Sequence, residues 1–165
     1  MNLNTIDDIA AELFLALRNQ QTIAPLTDKF PEININDAYQ ISRKFLSLRK
    51  EQGEKIVGKK IGVTSSVVQE MLGVNQPDFG FLTNTMQVLN KSDFSIQGSL
   101  IQPRAEAEIA FILKDDLHGP GITKEDVIQA TAKILPCFEI VDSRILDWNI
   151  KIQDTVADNA SCGIF

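Results

Sequence analysis

The sequence predicts an α+β fold in one structural domain, with helices first and strands after them. Apolar residues recur at helical spacing within residues 1–54, whereas residues 55–165 contain apolar runs of strand character separated by Gly, Pro, Asn and Ser. The chain has 165 residues, 44% of them hydrophobic, which suffices for a single buried core. We therefore interpret residues 1–54 as a helical part that packs on a sheet formed by residues 55–165.

Capping signals place the two N-terminal helices. Thr5 with Asp8 predicts the start of the first helix, and Asn36 is predicted to cap the second. On the second helix we interpret Tyr39 and Arg43 as surface or rim residues rather than as chemical groups.

Composition excludes several classes of function. The net charge is −6 and the Lys and Arg residues are scattered, so no basic surface for nucleic acid is expected. The N-terminus has no signal-peptide pattern, no stretch reaches membrane-spanning length, and Cys137 and Cys162 form no CxxC motif. We expect a soluble cytoplasmic protein with reduced thiols.

Two familiar catalytic patterns are also rejected. His118 is the only histidine and lies in a Gly-Pro turn, which argues against a histidine-based triad. Gly53 to Lys59 matches GxxxxGK by letter, but Lys60 stands where the phosphate-binding loop needs Ser or Thr, and the segment between is strand-like.

The most informative segment is the predicted strand 103–113, which carries two carboxylates near its start. Residues i and i+2 of a strand share a face, so Glu106 and Glu108 project side by side. A third carboxylate, Glu139, lies in another strand-like segment, residues 136–142. Three carboxylates suit a hard cation such as Mg²⁺ or Mn²⁺. Alternatively, Glu106 and Glu108 lie on a solvated sheet face and Glu139 at a strand edge.

Lys60 and Asp78 are further candidates. On the predicted strand 55–63, Lys60 shares its face with Gly58 and Gly62, so a ligand can approach its amine closely, although a lone strand lysine is usually exposed. Asp78 follows Pro77, where an aspartate ordinarily stabilises a turn.

The remaining elements are predicted from local pattern alone. Short strands are expected from Phe81 to Leu113, and Thr123 with Asp126 is expected to open a helix that continues through Ile134. Near the end of the sequence, Asn159 and Ser161 are either hydrogen-bonding residues of a site or ordinary turn residues.

Taken together, five motifs in this order resemble the 2-hydroxypenta-2,4-dienoate (2-keto-4-pentenoate) hydratase family, a fumarylacetoacetate-hydrolase-like group that includes 4-oxalocrotonate decarboxylases. The resemblance covers essentially the whole chain. Its motifs are Gly58-Lys59-Lys60-Ile61-Gly62-Val63-Thr64-Ser65, Gln76-Pro77-Asp78-Phe79-Gly80, Ala105-Glu106-Ala107-Glu108, Glu139-Ile140-Val141-Asp142-Ser143-Arg144 and Asp158-Asn159-Ala160-Ser161.

This resemblance implies a mixed β-roll or sandwich with flanking helices, in which Glu106, Glu108 and Glu139 hold Mg²⁺ or Mn²⁺. The metal of such enzymes chelates a 2-oxo acid and stabilises the dienolate formed as the 2-hydroxydiene ketonises; water then adds to the conjugated enone.

The same resemblance implies roles for four more residues. Lys60 contacts substrate and carries a proton, which a nearby metal ion makes easier to lose, and Asp78 moves the proton or positions water. Ser161 hydrogen-bonds the substrate carboxylate, with Asn159 beside it, while Cys162 stands where a second serine is usual.

Within this family the residues favour hydratase over decarboxylase. The Gln76-Pro77-Asp78-Phe79-Gly80 segment looks like the hydratase version, whereas decarboxylases tend to carry a Pro-Ile-Tyr-Gly-like segment there. Trp148-Asn149-Ile150 and Ser161-Cys162-Gly163-Ile164-Phe165 favour the same assignment.

Length is the main departure from the family, whose members run to roughly one and a half times this size. We expect the strands that complete the roll to be missing, whether the chain is a fragment or naturally short, and the isolated chain to self-associate through an open apolar edge. We accordingly expect a homo-oligomer, or association with another enzyme of the same pathway. The alternative is a non-catalytic truncated subunit, and retention of the three glutamates and Lys60 argues against it.

Overall fold

A computed structural model gives the fold and describes residues 1–90 and 92–165. The mixture of helix and sheet confirms the predicted α+β class. The described residues form six α-helices and five strands, besides three short 3₁₀ turns. The helices are α1 (Leu3–Asn19), α2 (Leu26–Lys29), α3 (Ile35–Glu51), α4 (Ser66–Leu72), α5 (Lys124–Ala130) and α6 (Ile152–Ala157), and the strands are β1 (Ile56–Gly62), β2 (Asp78–Thr83), β3 (Pro103–Leu113), β4 (Thr131–Asp142) and β5 (Cys162–Ile164).

The hydrophobic core lies between α1, α3 and α6. Helix α1 presents buried apolar residues at helical spacing, and α3 places Phe45 at the centre of the facing stripe. Val156 and Ala157 of α6 and Ile145 complete this core. Residues beyond position 54 thus contribute to the helical layer, and the division at residue 54 stays a prediction.

Both N-terminal helix caps differ from the predicted residues. The α1 cap is Asn2, whose side chain accepts a hydrogen bond from Thr5 N, so Thr5 lies inside the helix. The α3 cap is Asn34, which forms a capping box with Asp37. In both cases an asparagine two or three residues earlier satisfies the first free backbone amides, and the predicted cap is wrong.

The strands form two antiparallel groups. β1 pairs with β2, and β3, β4 and β5 form a three-stranded sheet in that order. Thr123 caps α5 in a capping box with Asp126, as predicted, but the predicted continuation through Ile134 is wrong, because α5 ends at Ala130 and Ile134 pairs with Phe111 in β4. Pairing with the long β3 strand overrides the local helical pattern. The expected short strands between Thr83 and Pro103 do not form in the described residues of that segment.

Arg144 joins the helical core to the end of the sheet. Its side chain is 1% exposed, pairs with Asp158 at 2.5 Å, and donates to the Asp158 and Cys162 carbonyls at 2.6 and 2.9 Å. The guanidinium also lies 5.9 Å from the centre of the Phe45 ring. Burial raises the pKa of Asp158 to about 6, although Arg144 favours the ionised form. This ion pair therefore depends on complete hydrogen bonding of both partners.

The outer part of the β3–β4 pair exposes large apolar side chains. Seven of them are at least 45% exposed: Ile109, Phe111, Ile112, Leu113, Ile134, Leu135 and Phe138.

None of the described helices combines the length and hydrophobicity needed to cross a bilayer.

Replacement of Arg144 is predicted to destabilise the fold. Arg144→Met leaves Asp158 as an uncompensated buried carboxylate, so we expect a loss of about 3–5 kcal/mol in the free energy of unfolding. Urea denaturation followed by circular dichroism measures this change. Lys29→Met is the matched control, since Lys29 forms an exposed pair with Glu12 and its loss is expected to cost less than about 1 kcal/mol. Equal effects of the two substitutions would contradict the assigned role of Arg144.

Candidate metal and active site

Three glutamates meet on one face of the paired strands β3 and β4. The antiparallel register sets Glu106 directly opposite Glu139, and Glu108 lies two residues further along the same face of β3. One carboxylate oxygen from each residue lies within 4.8 Å of the other two. The structure thus brings together the three residues predicted from the strand pattern and the resemblance.

Glu139 supplies the buried member of this carboxylate cluster. It is 6% exposed, whereas Glu106 and Glu108 are exposed. Burial raises the pKa of Glu139, while Lys60 acts in the opposite direction. Its Oε1 atom is buried without a hydrogen-bond partner among the described residues. An unpartnered anionic oxygen beside two further carboxylates fits a hard divalent cation, because such ions prefer oxygen ligands.

Lys60 extends from β1 to the buried side of this cluster. Its Nζ lies 3.3 Å from Glu139 Oε2 and 3.3 Å from the Ala160 carbonyl oxygen. Burial by itself lowers the pKa of the Lys60 ammonium, but the surrounding acidic groups, among them the Glu139 and Asp78 carboxylates, outweigh it and raise the pKa. The protein's own groups therefore keep Lys60 protonated and able to donate hydrogen bonds.

Asp78 begins β2 and pairs in register with Gly62 of β1. It is 4% exposed, and its Oδ1 is buried without a hydrogen-bond partner among the described residues. Burial raises its pKa, and Lys60 opposes this effect. A Cβ atom on Gly62 would lie 2.3 Å from Asp78 Oδ1 and 3.3 Å from Lys60 Nζ, so only glycine leaves room for both groups. The position of Asp78 is therefore set by its packing against Gly62, and not only by the turn that its place after Pro77 suggests.

The segment Asn159–Ser161 closes the site from the other side. All three of its residues have left-handed backbone, with φ of 57°, 53° and 50°. Asn159 holds the segment against β2, because its side chain accepts from Phe81 N at 2.8 Å and donates to Phe81 O at 2.9 Å. A Cβ on Gly80 would lie 2.5 Å from Asn159 O, so Gly80 permits this close approach.

The side chains of this segment have partners within the protein. Ser161 Oγ is 3.0 Å from Thr155 Oγ1. The Asn159 amide is engaged by the Phe81 backbone, and its predicted contact with substrate stays a prediction, as does that of Ser161. Burial strongly raises the pKa of the neighbouring Cys162 thiol, which keeps it neutral.

Sequence reasoning missed Tyr39, which it placed on a surface or rim. The Tyr39 ring stacks on Phe79 with centroids 4.7 Å apart and an interplanar angle of 17°. Tyr39 and Asp78 both line a cavity of about 420 Å³. As the chain's single tyrosine, Tyr39 offers a weak compositional signal, but its position beside Asp78 depends on packing of α3 against β2.

Solved structures share this fold. The 4-oxalocrotonate decarboxylase from Pseudomonas putida G7, complexed with magnesium and adipate, superimposes with a TM-score of 0.95 at 34% identity over 99% of this chain and 62% of its own. The same decarboxylase complexed with calcium and acetate gives a TM-score of 0.92. The chain therefore shares the fold of a decarboxylase whose structures were solved with magnesium and with calcium. No protein-family model matches the chain.

Curated relatives specify the family. A 2-hydroxyhexa-2,4-dienoate hydratase of Comamonas testosteroni is 60% identical over 97% of this chain, and a 2-hydroxypent-2,4-dienoate hydratase of Pseudomonas putida is 56% identical over all of it. The chain belongs to the 2-keto-4-pentenoate hydratase family, which confirms the resemblance found in its motifs. It spans 61% of the length of the first relative and 74% of the second.

The carboxylate cluster predicts measurable Mg²⁺ binding. Glu108→Gln removes one anionic ligand, so we expect the affinity for Mg²⁺ in isothermal titration calorimetry to fall about 10–100-fold. Glu125→Gln is the matched control, since Glu125 lies exposed in the first turn of α5, outside the cluster. Unchanged affinity in Glu108→Gln would argue against this metal centre.

Proposed function

We propose that this chain carries the active site of a metal-dependent hydratase, a hydro-lyase that adds water to 2-hydroxypenta-2,4-dienoate to give 4-hydroxy-2-oxopentanoate in the degradation of aromatic compounds. The observation that carries the proposal is the convergence of three carboxylates, Lys60 and Asp78 from four different strands. The hydratases at 60% and 56% identity support the choice of reaction.

The proposed metal ligands are Glu106, Glu108 and Glu139, with Mg²⁺ or Mn²⁺ as the ion. When bound, such a cation supplies Lewis-acid polarisation of the substrate carboxylate and 2-oxygen. The unpartnered Glu139 Oε1 supports this assignment, because a buried anionic oxygen without a donor is costly unless a cation lies beside it.

Lys60 and Asp78 are the proposed proton-transfer residues. Ketonisation of the dienol removes the proton of the 2-hydroxyl and adds one at C5, giving a conjugated 2-oxo-3-enoate. Lys60, as an ammonium, donates a hydrogen bond to the 2-oxygen as that oxygen loses its proton. Water then adds its oxygen to C4: Asp78 takes one proton from the attacking water and passes it to C3, and the oxygen keeps its other proton as the 4-hydroxyl. The raised pKa of Asp78 supports this role, since a carboxyl titrating closer to neutral pH exchanges protons more readily.

Substrate binding is assigned to the Asn159–Ser161 segment. Ser161 turns its hydroxyl from Thr155 to the substrate carboxylate, and Asn159 holds the segment against β2 while its amide borders the substrate. Cys162 contributes little hydrogen bonding where a second serine is usual, because a thiol is a weak donor.

The finer architecture and setting are also proposals. We assign the sheet to a fumarylacetoacetate-hydrolase-like β-roll and the protein to the cytoplasm, where Cys137 and Cys162 stay reduced. The apolar residues exposed on the β3–β4 pair support a homo-oligomer, or association with another enzyme of the pathway.

The direct test follows the ultraviolet absorbance of 2-hydroxypenta-2,4-dienoate. We expect loss of the diene with Mg²⁺, no loss with a chelator, and a rate at least about 10–100-fold lower in Glu106→Gln, which lacks one ligand charge. Glu125→Gln is the control and is expected to keep the wild-type rate. Metal-independent loss of the diene would overturn the proposal.

A second candidate is decarboxylation of a 4-oxalocrotonate-type 2-oxo acid, favoured by the TM-score of 0.95 to 4-oxalocrotonate decarboxylase. Carbon dioxide release from 4-oxalocrotonate, without hydration of the dienoate, would establish it instead. Metal-dependent turnover by this chain alone would likewise exclude the alternative of a non-catalytic truncated subunit.

Gly62 offers a test of the proton-transfer pair. In Gly62→Ala the new Cβ displaces Asp78 or Lys60, and we expect turnover to fall about 100-fold, since a misplacement of about 1 Å can have this effect. Gly58→Ala on the same face of β1 is the matched control, because its Cβ meets Leu82 at an ordinary 3.5 Å. Comparable rates in both variants would contradict the close approach of Asp78 and Lys60.

A further inference from the structure

A cavity lies next to Asp78, and none of the three glutamates of the carboxylate cluster lines it. It has a volume of about 420 Å³, is partly open to solvent, and is lined by the starts of α3 and α6 and by the loop between α4 and β2. Apolar walls come from Ile35, Val74 and Ile152, and the Tyr39 ring adds an aromatic wall. This volume lies at the lower end of the range of about 300–1,000 Å³ usual for small-molecule sites.

Asp78 connects this cavity to the proposed active site. The same residue lines the cavity and, with Lys60, flanks the position of a Cβ on Gly62, at 2.3 Å from Asp78 Oδ1 and 3.3 Å from Lys60 Nζ. Because Asp78 lies near both, a substrate whose carboxyl end is bound at the glutamates and Lys60 would have to extend past Asp78 to reach the cavity. The atoms that extend this way are those beyond C4, where dienoic acids of this type differ from one another.

The charge of the cavity restricts what such a tail can be. None of the described residues that line it is Lys, Arg or His, and one of them is Asp78. A carboxylate at the end of the tail would lose hydration without pairing with a cation, and it would lie near the carboxylate of Asp78. Both effects cost free energy. Asn75 and Gln76 offer neutral polar groups at the exposed loop. A neutral tail, in contrast, packs on the apolar and aromatic walls.

We propose that this cavity is the tail subsite, which accepts neutral alkyl or aryl tails of several carbons on the 2-oxo or 2-hydroxydienoic acid and rejects tails that end in a carboxylate. The inference rests on the proposed function, because it takes the carboxyl end of the ligand to lie at the glutamates. It assigns the choice of tail to Val74, Ile152 and Tyr39, none of which belongs to the carboxylate cluster.

Saturated 2-oxo acids test the subsite by binding alone, since they cannot be hydrated. Titration calorimetry with Mg²⁺ compares 2-oxopentanoate, 2-oxooctanoate and 2-oxooctanedioate. For the wild-type chain we expect 2-oxooctanoate to bind at least about 10-fold more tightly than the dicarboxylate, in line with the cost of placing a mismatched group in a shaped pocket.

Val74→Trp fills the cavity and Gln76→Lys adds a cation to it. We expect Val74→Trp to lower the affinity for 2-oxooctanoate relative to 2-oxopentanoate by about 10-fold. Val67→Trp is its control, because Val67 is 74% exposed on α4 and lies outside the cavity. We expect Gln76→Lys to tighten binding of the dicarboxylate selectively, and Gln97→Lys, at an exposed position outside the cavity, to leave the preference as in wild type.

The outcomes separate the two proposals. If none of the three acids binds in the presence of Mg²⁺, the proposed function fails and the tail subsite fails with it. If all three bind with equal affinity, or if Val74→Trp and Val67→Trp behave alike while circular dichroism shows both folded, the tail subsite alone is overturned.

Discussion

The antiparallel register of β3 and β4 is the constraint on which the rest of the site depends. By setting Glu106 opposite Glu139, with Glu108 on the same face, it concentrates three carboxylates within 4.8 Å. Like charges at this distance repel, and the burial of Glu139 adds a desolvation cost. Lys60 offsets part of that cost at 3.3 Å, but the second oxygen of Glu139 has no donor within the part of the chain that the structure describes. The fold thus maintains an excess of negative charge that a divalent cation would neutralise.

Close backbone approach brings the other groups to this cluster. Gly62 leaves room for Asp78 beside Lys60, and Gly80 leaves room for the left-handed segment that begins at Asn159. Left-handed residues other than glycine are unfavourable unless neighbouring contacts hold them. Asn159 supplies those contacts through two hydrogen bonds to Phe81, and the buried Arg144–Asp158 pair fixes the chain just before the segment. Stability provided by the helical core therefore supports a strained and charged site.

Local rules predicted the parts of this protein that local sequence determines. Strand alternation was sufficient to place Glu106 and Glu108 on one face, and the succession of helix-like and strand-like segments was sufficient for the α+β class. Local segments also singled out Glu139, Lys60 and Asp78 as candidates, but only the ordered motifs related them to one another and to the two strand glutamates. The continuation of α5 through Ile134 was wrong because pairing with β3 outweighed helical periodicity. Arg144 and Tyr39 could not be predicted in their roles, because these depend on contacts with Asp158 and Phe79 that only the tertiary fold creates.

The central claim is that three glutamates from two paired strands form one divalent-metal centre. A crystal structure of this chain grown with Mn²⁺, with anomalous data collected near the manganese edge, tests it most directly. The account predicts an anomalous peak within about 2.0–2.3 Å of one oxygen each of Glu106, Glu108 and Glu139, distances ordinary for small divalent ions bound by oxygen. A peak elsewhere, or none at these residues while the ion is in large excess, would contradict it.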